Sequence, residues 1–112
     1  MYNSNLLIQI NKQIGQDGSV LKNNELESCF ASVDYYDTEI EKVCSISRSI
    51  ALNHPFKDGN KRTAIWFVLS YLVSNNDIRY DSIDKDKIVE FAVLSVTKHY
   101  SVQEWVDFFK SL

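Results

Sequence analysis

Proline occurs once in this chain of 112 residues, glycine three times, and cysteine and histidine twice each. A single proline, Pro55, leaves nearly every segment free to form helix. So few glycines exclude a collagen-like or flexible low-complexity chain. Two cysteines, with no CxxC and no Cys/His cluster at zinc spacing, point away from a disulfide framework or a structural zinc site. Cys29 and Cys44 fall on apolar faces of predicted helices and read as reduced core thiols. The longest apolar run, Ala64 to Val73 with Ser70 inside it, is far short of the roughly 20 residues that span a bilayer. The N-terminus has no basic-then-apolar signal pattern, so a cytoplasmic protein with no membrane partner is expected. There is no excess of positive charge either. The net charge of −3 argues against direct nucleic-acid binding, which needs a basic surface.

What remains is ordinary globular material, 45% hydrophobic and 24% charged, enough for one domain over residues 1–112 with a single core. Its periodicity is helical throughout. Leu7, Ile10 and Ile14 predict a helix over 4–14, with Ser4 as a candidate cap. Gly15 to Asn24 reads as a loop. Leu26, Cys29, Phe30 and Val33 predict a second helix behind Asn24, broken by 34–37. Ile40, Val43, Cys44, Ser47, Ile50 and Ala51 form one stripe, capped by Asp37 or Thr38 and ending near Asn53, because the residue before a proline disfavours helix. A central helix is predicted from about Asn60 to Ser74, apolar nearly all round and therefore buried. Asn75 to Asp77 is a turn and Ile78 to Ile83 a short extended link. Asp84 opens a helix with Ile88, Phe91, Ala92 and Ser95 inward. Ser101 to Glu104 is a capping box for a last helix burying Val102, Trp105, Val106 and Phe109. No stretch alternates with period two. The prediction is an all-α domain of about six helices around the one that follows Pro55.

The chemistry concentrates at His54-Pro55-Phe56-Lys57-Asp58-Gly59-Asn60-Lys61-Arg62. A histidine at one helix end, a tight bend, and Asn-Lys-Arg at the next helix start suit phosphate chemistry. Free N–H groups and the positive end of the helix dipole attract an anion. Asn60 is a candidate N-cap, and Gly59 allows close approach of backbone to a ligand. Lys61 and Arg62 supply charge, Arg62 as a two-pronged donor. Asp58 can hold a hard divalent cation that bridges phosphate oxygens. His54 can take a proton from a hydroxyl. Each residue also has a plainer reading: a helix-terminal histidine, an Asp-Gly turn, a solvated basic face. For the stretch to be inert, all of these must hold together. A Walker A loop does not fit, since Pro55 and Asn60 stand at its glycine positions and no strand precedes it.

His54-Pro55-Phe56-x-Asp58-Gly59-Asn60-x-Arg62 resembles the signature of the Fic/Doc family, and Lys61 in its second variable place resembles the Doc (death-on-curing) toxin branch. Asn24-Glu25-Leu26-Glu27-Ser28 resembles the family's early helix. Gly59 stands where Doc-like motifs often have alanine. The resemblance implies a toxin of a toxin–antitoxin pair that passes the γ-phosphate of ATP to a hydroxyl side chain of a target protein, with elongation factor Tu the expected target, and stops translation. On this basis His54 is the expected general base, Asp58 the Mg²⁺ ligand, and Gly59, Asn60, Lys61 and Arg62 the phosphate-binding set. Phe56 is expected to anchor the loop in the core. Lys61 and Arg62 would also stabilise the transferring group. The Fic branch, with glycine at the Lys61 position, transfers AMP instead and is the alternative reading. A weakly catalytic module that binds an antitoxin and regulates its own operon is another. The inhibitory string [S/T]xxxE[G/N] of self-restrained Fic proteins is not found. The resemblance therefore implies a separate antitoxin, whose disordered tail folds onto the domain.

Overall fold

The computed structural model describes residues 3–112. Six α-helices follow in order: α1 (Ser4–Gln13), α2 (Asn23–Ser28), α3 (Glu39–Asn53), α4 (Asn60–Ser74), α5 (Lys85–Thr97) and α6 (Val102–Lys110), with no named strand among the described residues. The all-α expectation holds. α3 and α4 pack against each other most extensively; α1 lies on α4, α6 on α3, and α5 against both.

Local signals explain most helix ends. Thr38 closes a capping box with Glu41, and Ser101 one with Glu104. Asp84 Oδ1 accepts from the N–H groups of Asp86 and Lys87. The buried face of α4, Thr63 to Ile65 with Phe67 to Leu69 and Leu72, makes it the centre of the core. Val43, Cys44, Ile46 and Ile50 of α3 are wholly buried beside it. A second knot of aromatics lies between α5 and α6: Phe91 stacks on Phe108 at 4.0 Å and meets Trp105 edge-on at 5.1 Å. Both cysteines are free and buried, and burial pushes each thiol up to about 12.

Four local expectations are corrected. Asn3, not Ser4, caps α1, its Oδ1 accepting from the Leu6 N–H at 3.0 Å. α2 stops at Ser28, before Cys29, Phe30 and Val33; turns and a short 3₁₀ segment at Val33–Tyr35 carry these residues inward. The link before α5 contains another 3₁₀ turn, Tyr80–Ser82, rather than a purely extended run. The N-cap of α4 is Gly59, not Asn60.

Candidate active site

The site is a bend between two helix ends. α3 stops at Asn53, and His54 turns the chain in the left-handed region, φ 52° and ψ 56°, with its N–H donating to the Ile50 carbonyl at 3.1 Å. Such a φ is unfavourable for a residue with a Cβ, and it directs the chain abruptly out of the helix. His99 does the same after α5, so the conformation alone is a helix stop. What distinguishes His54 is its place: its side chain is exposed directly before Pro55 and Phe56, both buried.

Loop 55–59 is held by contacts from three sides. Phe56, 1% exposed, plugs into the core as expected. Asn60 clamps the same residue: the Phe56 N–H donates to Asn60 Oδ1 at 2.9 Å, and Asn60 Nδ2 donates to the Phe56 carbonyl at 3.0 Å. This is why Asn60 does not cap α4. Its amide closes the loop instead, and Gly59 takes the cap position at φ 75°. From outside, the strap over residues 16–22 runs antiparallel to the loop, with Val20 opposite Phe56. Lys57 N–H donates to the Ser19 carbonyl at 2.9 Å, and the N–H groups of Leu21 and Lys22 donate to the Pro55 carbonyl at 2.9 and 3.2 Å. The strap is itself pinned. The Ser19 N–H donates to Asp17 at 2.8 Å and holds that carboxyl below its ordinary value. From below, Asn11 Nδ2 donates to the Asp58 carbonyl at 2.9 Å.

The first turn of α4 leaves donors unused. Thr63 is the first residue whose N–H bonds back, to the Gly59 carbonyl at 2.8 Å. No backbone or side-chain acceptor among the described residues takes the N–H groups of Asn60, Lys61 and Arg62. Lys61 and Arg62 of the same turn are exposed, and Arg62 Nη1 donates to the Ile14 carbonyl at 3.5 Å. The Asp58 carboxylate is exposed and has no ion-pair partner among the described residues. No group of three or more His, Cys, Asp or Glu that could hold a metal ion occurs among them. The donor set therefore fits a cation held by one carboxylate and by the ligand's own oxygens, a usual arrangement for Mg²⁺, and does not fit an all-protein metal cage.

The bend thus brings His54, Asp58, Gly59, Asn60, Lys61 and Arg62 into one feature. Sequence reading missed Asn11 and the strap. Asn11 is 1% exposed and sits in the apolar stripe of α1 between Ile10 and Ile14; a polar residue on a buried face was the available signal. The strap's pairing with the loop had no comparable mark, since residues 15–24 read simply as polar.

No helix among the described residues is long and apolar enough to cross a membrane. No curated protein matches the chain. A family model, described as the Fic/DOC family, matches residues 2–72, which takes in α1, the strap, α3, the loop and nearly all of α4. The chain therefore belongs to the Fic/DOC family, whose members generally transfer nucleotide groups to proteins.

Proposed function

We propose that this protein is a Doc-like phosphotransferase, which passes the γ-phosphate of ATP to a hydroxyl side chain of a protein target, elongation factor Tu being the candidate, and which a separate antitoxin restrains. The observation that carries this reading is the N-terminus of α4: N–H groups of Asn60 to Arg62 that no acceptor among the described residues takes, in the same turn as the exposed cations Lys61 and Arg62 and one bend away from the exposed His54. An anion is stabilised there by the donors, the charges and the helix dipole together.

The steps divide among these residues. The γ-phosphate lies at the amides of α4. His54 accepts the proton of the target hydroxyl as its oxygen attacks phosphorus; the bond to the β-phosphate oxygen breaks, and ADP leaves. Lys61 and Arg62 offset the charge on the transferring oxygens. Asp58 is the residue that would hold Mg²⁺, which supplies further neutralisation of the phosphates. Asn60 and Gly59 contribute by shaping the loop.

The strap offers a place for the target. Ser19 and Leu21 use their carbonyl and N–H on loop 55–57, so the N–H and carbonyl of Val20 face the other way, and no backbone group among the described residues takes them. An extended target segment can add along that edge, beside the exposed Leu21, and bring a hydroxyl toward His54.

AMP transfer is the competing reading. It keeps the same base and the same anion site, with the α-phosphate at the helix. The protein incubated with a bacterial lysate and ATP labelled on either the α- or the γ-phosphate separates the two. Label from the γ-position on a single protein band supports phosphorylation; label from the α-position alone overturns it. A protein that transfers neither, yet binds a partner encoded beside it, supports the regulatory module instead.

A further inference from the structure

Asn11 is the only side chain that joins α1, the strap, loop 55–59 and α4 among the described residues. Its Nδ2 donates to the Asp58 carbonyl at 2.9 Å and to Thr63 Oγ1 at 3.1 Å, and its Oδ1 accepts from the Gly18 N–H at 3.0 Å. Both hydrogens and the oxygen of the amide are in use, so the group has one orientation. Thr63 is wholly buried, which makes this a fixed point on α4 rather than a surface contact. The Cβ of any residue replacing Gly59 would come within 3.4 Å of the Asn11 amide nitrogen, so the Asp58–Gly59 peptide lies directly against it.

We propose that Asn11 is a positioning residue for the nucleotide site: it sets the plane of the Asp58–Gly59 peptide, and through it the direction of the Asp58 carboxylate relative to the N–H groups of α4. The argument is geometric. Among the described residues the Asp58 carboxylate has no partner of its own, so its place is decided by the backbone that carries it. Asn60 holds that backbone at Phe56, and the strap holds it at Pro55 and Lys57. Between Asp58 and Gly59 the hold is Asn11, the one side chain among the described residues that donates to the Asp58 carbonyl. The same amide ties in the strap at Gly18, so the segment that offers an edge to a protein target and the segment that carries the metal-binding carboxylate share one anchor. The proposal rests on the reading of Asp58 as the residue that holds Mg²⁺.

The test is a double-mutant cycle read by titration of Mg²⁺-ATP into the whole chain, using the unmutated protein, Asn11→Ala, Asp58→Ala and the double variant. Loss of a residue that orients a metal ligand typically costs about 10- to 100-fold in affinity. Asn11→Ala and Asp58→Ala should each weaken binding by about tenfold or more, and the double variant should bind no worse than Asp58→Ala. Asn11→Leu fills the same space with apolar atoms and guards against simple loss of fold; it should weaken binding as Asn11→Ala does. A second readout needs no ligand. The Asp58 carbonyl and the Gly59 N–H belong to one peptide plane. The Gly59 amide resonance should shift in both Asn11 variants, and the Thr63 N–H should exchange faster. Full affinity in Asn11→Leu would show that packing alone matters, and losses that multiply in the double variant would show that Asn11 does not act through Asp58; either result overturns the proposal. If the unmutated chain binds no Mg²⁺-ATP, the proposed function falls, while the Gly59 resonance and Thr63 exchange still decide whether Asn11 sets this peptide.

Discussion

Asn60 holds Phe56 by both of its backbone groups, accepting from its N–H at 2.9 Å and donating to its carbonyl at 3.0 Å. One primary amide thereby does for the loop what a neighbouring strand would do. It leaves the ring of Phe56 in the core and the exposed residues Lys57 and Asp58 outside. Asn60→Ala removes both bonds and leaves two partly buried backbone groups unpaired, at about 1–3 kcal/mol for an unsatisfied group. An unfolding free energy lower by at least that amount, read from denaturant titration, together with loss of transfer activity, is the expected outcome. Asn60→Asp keeps the acceptor and turns the donor into an acceptor facing a carbonyl, so it should not rescue.

His54 carries a stability cost along with its proposed role. Its φ of 52° is one that glycine adopts freely and a residue with a Cβ does not. His54→Gly should stabilise the fold by up to roughly 1 kcal/mol, relief of about 1–2 kcal/mol of left-handed strain less about 0.5–1 kcal/mol for the freer unfolded chain, and abolish transfer. His54→Ala should lose activity by about 10² to 10⁴-fold without the gain. Thermal melts beside a transfer assay check both. Substitution of His99 should leave transfer intact. Near-normal turnover in either His54 variant would falsify its assignment as the base.

Gly59 is demanded by its surroundings. A Cβ there would lie 2.8 Å from Gln16 Cγ and 3.2 Å from Ile14 Cδ1, at a φ of 75°. Gly59→Ala, the residue common in Doc-like motifs, should therefore destabilise this chain by about 1–2 kcal/mol from the left-handed conformation alone, and should disturb the strap. Unchanged stability by denaturant titration would contradict the packing described.

On the proposed reading, Lys61 sets which group is transferred. Its exposed side chain stands at the first turn of α4, where the Fic-type pattern has glycine. On that reading a lysine there would fill the space for phosphates beyond the one being transferred and add a point charge. Lys61→Gly should lower phosphorylation by roughly an order of magnitude or more, as for loss of a charge-stabilising donor, and allow a trace of AMP transfer. Intact mass of the modified target distinguishes a phosphate adduct from an adenylyl adduct. An adenylyl adduct from the unmutated protein would refute this role of Lys61.

The buried thiols predict a one-sided pH dependence. Burial raises Cys29 and Cys44 from 9.0 to about 12, so the folded protein keeps protons that the unfolded chain releases. Their contribution is fully present below pH 9 and falls as pH rises from about 9 to about 12. Chemical denaturation between pH 8 and pH 10.5 should show the decline, and Cys29→Ala with Cys44→Ala should flatten it. In the native protein both thiols should resist alkylation at pH 8 and react on unfolding.

The amino-acid sequence by itself determined most of the helices and the stretch that carries the candidate site. Capping at Thr38 and Ser101, the stripe of α3, the apolar run of α4 and the stop at Pro55 are signals exchanged within one or two turns, so each is legible without its neighbours. His54, Asp58 and Arg62 stand on one short bend, which covalent connectivity alone keeps together. Only the tertiary structure decided how that bend is held. Asn11 meets Asp58 and Thr63 from 47 and 52 residues away, and Val20 meets Phe56 from across about a third of the chain. The buried face of α1 marks Asn11 itself, but nothing local marks what either residue meets, because the partners are selected by how α1 and the strap seat on the loop and α4. Asn60 was misread for a related reason. An asparagine at a helix start satisfies the rule for a cap, and whether its amide turns to the helix or back to Phe56 depends on Phe56 first being buried. Burial is a property of the whole fold, and the loop's hydrogen bonds follow from it.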